Sequence, residues 1–456
     1  MTTDTERTPA VQAAPDPGRP RRARFYVPVA VKLVIAVVVA TLWVGVSVWI
    51  SLPWVDELSD TVGPYAAWVV VVLVAYLPGF IVALMTMSLL MDRQPSLEAM
   101  DPTTGITVIV AARNEEAGIA DTIRHAARSD YAGTVTLVLA DNGSTDRTCE
   151  IAKATADAMG VELVMVHEPT PGKSHALNAA LLHVVTPYVV TLDADTLLHR
   201  QALRRLVSRL ESAPPDTVAV AGSVLVRNSR VNLLTRMQEW DYYLGIAGVK
   251  RMQGLYQSTL VAQGAFSVYL TEQVRRIGGW PDAIGEDIVV TWKLMQSGHR
   301  VYFEPTAIAF TDVPSQLRHF MHQRSRWARG MLEGLRAVPP WRQSRTLTKL
   351  VAGVDLVIPL LDIGYALVWL PGLVLFLVGV PLIVSMWTLV VLPVTLLVYG
   401  GLRTYQSRRI FAPLGLSVRR NRLGYVAFLL GYQALCSVAS LRGYAQDVAR
   451  TRRRWK

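Results

Sequence analysis

The sequence predicts an α/β fold: a doubly wound, mostly parallel sheet in a soluble domain that is flanked by transmembrane helices. Two observations lead to this prediction. Between residues 106 and 195, short apolar runs rich in β-branched residues alternate with helix-like stretches, the pattern of strands joined by crossover helices. Long uncharged runs lie on both sides of the soluble part, and the mean hydropathy of the 456-residue chain is +0.30, high for a soluble protein.

The net charge of the chain is +11, which taken alone could indicate a nucleic-acid partner. Much of the excess lies beside the apolar runs, where the preference of basic residues for the cytoplasmic side explains it more simply. We therefore expect membrane lipids as partners and no nucleic acid. The two cysteines, Cys149 and Cys436, are far apart without metal-type spacing, so the sequence predicts neither disulfides nor a zinc site.

The part of the chain before the soluble domain is predicted to hold a tail and two spans. Residues 1–27 are polar, basic and rich in proline and alanine, so we expect a disordered tail. Two transmembrane helices are predicted within 28–91, at about 29–52 and 66–91, with an acidic loop at 53–65 between them. The basic residues before the first span then place the soluble domain in the cytoplasm, in a multi-pass protein of the plasma or inner membrane.

The soluble domain is predicted at 92–332. Residues 333–349 mix apolar and basic side chains, as an amphipathic segment lying on the membrane surface does. Residues 350–445 are predicted to form two to three transmembrane or re-entrant helices, and a basic tail follows at 446–456. The last apolar run is short and contains Gln433, so whether it spans stays open.

Four apolar runs in the soluble domain are predicted strands: ITVIVAA (106–112), VTLVLAD (135–141), VELVMVH (161–167) and PYVVTLDAD (187–195). Ligands bind at the carboxyl ends of the strands in such sheets. ADNGSTDRT, which begins at the end of the second strand, places Asp141 at that edge. The alternative is an ordinary strand-to-helix turn with a helix cap.

A pair of carboxylates ends the fourth strand. Asp193 and Asp195 flank an alanine, so strand alternation puts both side chains on one face, where like charges repel. Mg²⁺ or Mn²⁺ relieves that repulsion and takes oxygen ligands from carboxylates and phosphates. The alternative is again a turn, which two like charges after a buried strand make less favourable.

A second acidic pair, Glu286 and Asp287, stands before the amphipathic stretch that contains WKL. Acidic residues commonly cap helices, so a cap is one interpretation of Asp287. The functional interpretation is a general base that takes a proton from an acceptor hydroxyl.

The stretch HQRSRWARG (322–330) combines cations with an aromatic side chain. Gln323 and Arg326 lie at helical spacing on one face, the guanidinium suits a diphosphate, and Trp327 offers a flat surface to a sugar ring or a base. The alternative is a basic cytoplasmic flank before a membrane span. For Arg324 and Arg329 we expect no more than that flank.

Together these motifs resemble the family 2 glycosyltransferases, specifically the membrane-integrated processive branch of cellulose, chitin, hyaluronan and poly-N-acetylglucosamine synthases. The resemblance covers residues 106–330, and the run GEDIVVTWKL…YFEPTAIAF…HQRSRWARG is most similar to the poly-β-1,6-N-acetylglucosamine synthases. It implies a GT-A-like cytoplasmic domain and an inverting hexosyltransferase that polymerises a β-linked polysaccharide from a UDP-sugar. A growing glycan or a lipid-linked acceptor is the implied second substrate, and accessory export or modification proteins are compatible with it.

On the donor side, the resemblance implies a role for each matching residue. Asp141 matches the acid that holds the uracil, with Asn142 in place of the second acid often found there. Lys173 matches a lysine near the nucleotide. Asp193 and Asp195 match the motif for the metal and the diphosphate.

On the acceptor side, Asp287 matches the catalytic base, with Glu286 beside it. The Q-x-x-R-W motif is matched by Gln323 and Arg326, which contact the donor, and by Trp327, which contacts the acceptor. Gly264 in AQGAF matches an acceptor contact of that branch.

Other functions stay open. A non-processive transferase would add one sugar to a lipid-linked acceptor. A transporter regulated by its soluble domain is disfavoured by the few spans and the lack of an inverted repeat. An inactive regulator that binds nucleotide sugar is disfavoured by the intact Asp193, Asp195 and Asp287. The donor sugar depends on pocket shape and is not predicted.

Overall fold

The computed structural model describes residues 27–93, 97–98, 100–384 and 391–449. The strands are β1 (Ile106–Ala112), β2 (Val135–Asp141), β3 (Leu163–His167), β4 (Tyr188–Asp193), β5 (Leu197–Leu198), β6 (Thr217–Val226), β7 (Phe266–Leu270) and β8 (Arg300–Thr311). The helices are α1 (Val29–Val62), α2 (Pro64–Leu90), α3 (Ile119–Ala127), α4 (Thr148–Met159), α5 (Lys173–Leu181), α6 (Ala202–Ser212), α7 (Leu233–Trp240), α8 (Ala247–Leu255), α9 (Thr271–Arg276), α10 (Glu286–Gln296), α11 (Leu317–Ala337), α12 (Thr346–Leu377), α13 (Val391–Tyr405) and α14 (Arg422–Val448). A π-helical turn, Asp241–Ile246, joins α7 to α8.

The eight strands form one sheet in the order β3-β2-β1-β4-β7-β6-β8-β5. The first four of these strands are parallel to one another, and β6 is parallel to β8. β7 runs antiparallel to β4 and β6, and β5 runs antiparallel to β8. The predicted α/β fold with a mostly parallel sheet is confirmed, and β1 to β4 are the four strands expected from the sequence.

Helices cover both faces of this sheet, which makes it doubly wound. One apolar cluster joins one face to α3, α4 and α6. The other joins the opposite face to α5, α8 and α10. All seven residues of β1 are buried, because this strand lies between β2 and β4 with helices on both sides.

Helix α1 is longer than the sequence predicted, and the expected acidic loop at 53–65 is wrong. The helix continues through Pro53 to Val62 and ends at Gly63, whose φ of 86° suits glycine. It continues because Trp54, Val55 and Leu58 form an apolar stripe that packs against α2, while the acidic residues between them face outward.

Four helices among the described residues are long and apolar enough to cross a membrane: α1, α2, α12 and α14. The predicted tails, residues 1–26 and 450–456, lie outside the described residues. Residues 385–390, within the predicted run at 350–445, lie outside them as well. The amphipathic segment predicted at 333–349 is not one element, because α11 extends to Ala337 and a short 3₁₀ turn leads from it to α12.

Helix α14 packs along α11 and against α12. A Cβ on Gly443 would lie 2.4 Å from the carbonyl oxygen of Ser325, so the α11 and α14 backbones approach as closely as glycine allows. In α12, the buried carboxylate of Asp362 accepts hydrogen bonds from Ser437 and Tyr444 of α14. Asp362 thus joins two helices.

Candidate functional site

The carboxylates predicted from the strand ends lie at one edge of the sheet. Ala112 at the end of β1 pairs with Asp141 of β2, and Ala111 pairs with Asp193 of β4. The central strand therefore ends in two small residues, with one carboxylate on each side. This edge carries the donor-side residues.

Asp141 is buried and held by two neighbours. One carboxylate oxygen accepts a hydrogen bond from the Ser144 amide at 3.1 Å, and the other lies 2.6 Å from Nδ1 of His167. Burial raises the pKa of Asp141, but the hydrogen bonds from Ser144 and His167 outweigh it and lower the pKa overall. Asp141 holds the turn after β2 but does not cap α4, whose N-cap is Arg147.

Asn142 has a structural role that the sequence did not reveal. Its side-chain amide donates to the carbonyl oxygens of Glu168 at 3.1 Å and Thr170 at 2.7 Å, and its Oδ1 accepts from the Gly172 amide at 2.8 Å. An aspartate could not make the two donor contacts. Asn142 thus fixes the loop that delivers Lys173 to the site.

Lys173 links the donor-side edge to α10. Its ammonium group lies 2.5 Å from Asp193 and 3.8 Å from Glu286. Burial lowers the pKa of Lys173, but the two carboxylates outweigh it and raise the pKa overall. Burial also raises the pKa of Glu286 to about 7, a rise that Lys173 opposes and Asp287 reinforces.

Asp195 is the carboxylate best suited to a metal. Its Oδ1 accepts hydrogen bonds from Thr196 and Thr311, both at 3.3 Å. Burial and the negative charge of Asp193 raise the pKa of Asp195 to about 6, so a cation here would relieve repulsion. No group of three or more His, Cys, Asp or Glu residues in the described chain forms a metal cage, so Asp193 and Asp195 would share a divalent cation with phosphate oxygens.

Asp287 lies in the first turn of α10 with both carboxylate oxygens held by backbone amides. Oδ1 accepts from Ile288 at 2.9 Å, and Oδ2 accepts from Gly264 at 3.2 Å. The interpretation of Asp287 as a helix cap is wrong, because the N-cap of α10 is Gly285. The side chain is half-buried, so it is oriented while still partly accessible. A Cβ on Gly264 would lie 2.6 Å from Nζ of Lys173, so glycine there lets the lysine and the carboxylates meet.

Helix α11 reaches the site through a close contact with α10. A Cβ on Gly285 would lie 2.7 Å from Cα of Gly330, and a Cβ on Gly334 would lie 2.7 Å from Ile288. These glycines bring the two helices together at the first turn of α10. The positive charge of Arg326 on α11 consequently acts on Glu286 and lowers its pKa.

The predicted Gln323 and Arg326 have unused hydrogen-bonding groups. Arg326 is half-buried and forms no hydrogen bond or ion pair with another described residue. Gln323 has a buried side-chain oxygen without a partner in the described part of the chain. Both are therefore available to a ligand.

Arg324 is not the basic flank that the sequence suggested. It is 8% exposed, and its guanidinium lies 2.8 Å from the carboxylate of Asp241 and 2.7 Å from the hydroxyl of Tyr432. It also lies over the ring of Trp327, 4.2 Å from the centroid. A buried guanidinium needs such partners, and they come from segments distant in the sequence. Trp327 itself is 38% exposed.

Lys250 is a second residue that the sequence interpretation missed. This buried lysine of α8 donates hydrogen bonds to the carbonyl oxygen of Val261, at 3.1 Å, and to Gln263. These contacts fix the loop that ends at Gly264. Burial lowers the pKa of Lys250 to about 7. A lysine within a buried helix is the one signal that could have identified it.

The chain is similar to curated relatives over about half its length. A poly-β-1,6-N-acetyl-D-glucosamine synthase of Staphylococcus aureus (strain COL) is 32% identical over 244 residues, 53% of this chain and 57% of the relative. A protein of the same name from Staphylococcus epidermidis is 31% identical over 230 residues, 50% of this chain and 54% of the relative. The chain thus spans little more than half the length of these relatives.

A solved structure and a family model agree with the fold. The mannosyltransferase of Pyrobaculum calidifontis in complex with GDP-Man and Mn²⁺ matches with a TM-score of 0.58 and 20% identity, over 84% of this chain and 99% of that one. The likeness shows a GT-A-like fold. The model of the glycosyltransferase like family 2 matches residues 102–330. The chain belongs to glycosyltransferase family 2, with its glycosyltransferase domain in that half of the sequence.

Proposed function

We propose that this protein is a membrane-bound inverting glycosyltransferase that polymerises a β-linked polysaccharide from a UDP-sugar. The observation that carries the proposal is the position of Asp287, held by two amides beside the pair of Lys173 and Asp193 and next to the helix that bears Arg326. The curated relatives make poly-N-acetylglucosamine the first candidate product.

The donor binds at the carboxyl edge of the sheet. Asp141 accepts a hydrogen bond from the uracil, and Lys173 lies near the nucleotide. Gln323 and Arg326 face the diphosphate, since an unpaired guanidinium fork suits two phosphate oxygens. Asp195 and Asp193 would hold Mg²⁺ or Mn²⁺, which supplies positive charge against the diphosphate when bound.

Asp287 accepts the proton of the acceptor hydroxyl as that oxygen forms a bond to the anomeric carbon. The bond from this carbon to the diphosphate breaks at the same time, and its electron pair leaves with UDP. Arg326 stabilises the charge on the leaving group. A single displacement inverts the anomeric centre, so an α-linked donor gives a β-linkage. The indole of Trp327 packs against the acceptor sugar. Glu286, next to the base Asp287, holds the ammonium group of Lys173 by an ion pair.

The four apolar helices support a location in the cell membrane, and the basic residues beside them favour a glycosyltransferase domain on the cytoplasmic side. The growing glycan would then leave through the adjacent helices, with accessory export proteins as further partners.

The test uses membranes or detergent-purified full-length protein with UDP-N-acetylglucosamine, UDP-glucose or UDP-glucuronate, each with Mg²⁺ or Mn²⁺. We expect metal-dependent transfer and a polymeric product. Asp287→Asn should lower transfer by about 1,000-fold or more while UDP binding is retained, because the isosteric amide cannot take up the proton. Its NH₂ group also gives up one of the two contacts with backbone amides, neither of which belongs to the nucleotide side.

The matched control is Asp282→Asn, which changes an exposed acid a few residues before the base and should transfer normally. Normal transfer by Asp287→Asn would refute the assignment of the base. A product with one added sugar would replace polymerisation by single transfer to a lipid-linked acceptor, and nucleotide binding without transfer would favour an inactive regulator.

A further inference from the structure

Three side chains from three segments meet at the stretch HQRSRWARG. Arg324 of α11 contacts the carboxylate of Asp241, in the π-helical turn between α7 and α8, at 2.8 Å. It contacts the hydroxyl of Tyr432, in α14, at 2.7 Å. That hydroxyl in turn donates to Asp241 at 3.0 Å, which closes the triangle. We call these three residues the arginine triad.

The arginine triad supports Trp327. The Arg324 guanidinium lies over the indole at 4.2 Å from its centroid, which is a favourable cation–π distance. Tyr242, the neighbour of Asp241, contacts the same indole with ring centroids 6.4 Å apart. A planar guanidinium held on its edge by a carboxylate and a hydroxyl cannot rotate freely, so the ring stacked on it is held in one orientation.

The same contacts tie α14 to the site. Ser325, next to Arg324, donates a hydrogen bond from its hydroxyl to the Ala439 carbonyl oxygen at 2.8 Å. One turn further along α14, Gly443 touches the Ser325 backbone. Tyr432 is 2% exposed, so its hydroxyl is shielded from bulk water. A displacement of α14 along α11 would therefore move the partner of Arg324.

We propose that Asp241, Arg324 and Tyr432 are positioning residues for the acceptor: they orient Trp327, so the last helix of the described chain takes part in acceptor binding. The inference rests on the proposed function, because it presupposes that Trp327 binds the acceptor sugar. Asp141, Lys173, Asp193 and Asp195 make no contact with the triad. Gln323 and Arg326 flank Arg324 on α11 but form no hydrogen bond with it, so loss of the triad should weaken acceptor binding much more than donor binding.

The experiment compares Tyr432→Phe with Tyr76→Phe in the full-length protein. Each change removes one buried hydroxyl from an apolar helix. The hydroxyl groups of Tyr76 and Ser51 form a hydrogen bond of 2.6 Å between α2 and α1, away from Trp327. With a short β-linked N-acetylglucosamine oligosaccharide as acceptor, Tyr432→Phe should raise the acceptor KM about 5- to 20-fold, the order of magnitude of one buried hydrogen bond. The UDP-sugar KM and the affinity for UDP should change by less than about twofold.

Arg324→Lys is the second variant. It keeps the positive charge beside Asp241 but loses the planar face, so we expect it to raise the acceptor KM at least as much. UDP binding by each variant shows that it has folded. Equal acceptor KM values for Tyr432→Phe and Tyr76→Phe would overturn the inference, as would an equal rise in the donor and acceptor KM. Absence of transfer by the unsubstituted protein would refute the proposed function, and the inference with it.

Discussion

The proposed donor side and the proposed acceptor side of the candidate site are built differently. On the donor side, Asp141 and Asp193 project from the parallel strands on either side of β1, whose register fixes them. Their partners are His167 at the end of β3 and Lys173 at the start of α5. On the acceptor side, Asp287 and Trp327 lie on helices α10 and α11, and the contacts that hold α11 come largely from α14.

This difference predicts which amino-acid substitutions each side should tolerate. Apart from Gln323 and Arg326 on α11, the donor side is completed within the sheet and its nearest loops, so changes in the membrane-type helices should affect it less. The acceptor side is completed by helices outside the soluble domain, so it should respond to them. Gly264 lies where the two sides meet, between Lys173 and Asp287.

Among three further substitutions, Gly264→Ala should have the largest effect, because it disturbs both sides at once. The added Cβ would lie 2.6 Å from Nζ of Lys173 and would push the ammonium away from Asp193. We expect kcat to fall about 10- to 100-fold and the UDP-sugar KM to rise, as measured by steady-state transfer. Gly353→Ala is the control, since nothing lies within 4 Å of its new Cβ. Equal kinetics for the two variants would remove Gly264 from the site.

Gly443→Ala should separate the two sides. Its Cβ would lie 2.4 Å from the Ser325 carbonyl oxygen, so α14 must shift away from α11. We expect an acceptor KM about tenfold higher with the UDP-sugar KM unchanged within about twofold. Gly431→Ala changes the same helix at a position with open space and should behave like the unsubstituted protein. A parallel rise in the donor KM would show that the two sides are not independent.

Lys250→Met should have the smallest effect, on the pH dependence of stability. The pKa of Lys250 falls from 10.5 to about 7 on folding, so the unfolded chain binds more protons between these values and stability should rise with pH there. The slope contributed is about 1 kcal/mol per pH unit, and Lys250→Met should lack it. Thermal unfolding in detergent at several pH values measures it, with the exposed Lys153→Met as control. If Lys250→Met shows the same slope of stability against pH, Lys250 does not lose its proton on folding in this pH range.

The strands and strand-end residues of the donor side could be predicted from the sequence, because each is signalled by a short contiguous segment. Each of β1 to β4 is a short apolar run, and Asp141, Asp193 and Asp195 stand directly at or after a strand end. Parallel strands bring such ends to one edge without further information. The antiparallel β7 and the short β5 were not predicted, since strand direction depends on partners distant in the chain.

The acceptor half could be predicted only as a motif. Arg324 is separated from Asp241 by 83 residues and from Tyr432 by 108, and no periodicity in the sequence signals such a meeting. The sequence therefore predicted only a basic flank for Arg324, whereas in the structure its guanidinium stacks on Trp327. The acidic segment after residue 52 was expected to be a loop because of its charged residues. Its apolar residues Trp54, Val55 and Leu58 nevertheless form a stripe that packs against α2 and keeps the segment helical.

The late position of Tyr432 has a consequence for the biosynthesis of this protein. The ribosome releases the sheet and α11 well before α14. The domain can therefore begin to fold before Tyr432 is available to contact Arg324. Arg251 is in the same situation: it is buried against Asp92 near the start of the domain, but its contact with Tyr405 forms only when α13 has been made. We expect the nascent domain to acquire the proposed donor binding first and the proposed acceptor binding last, once α14 has been made.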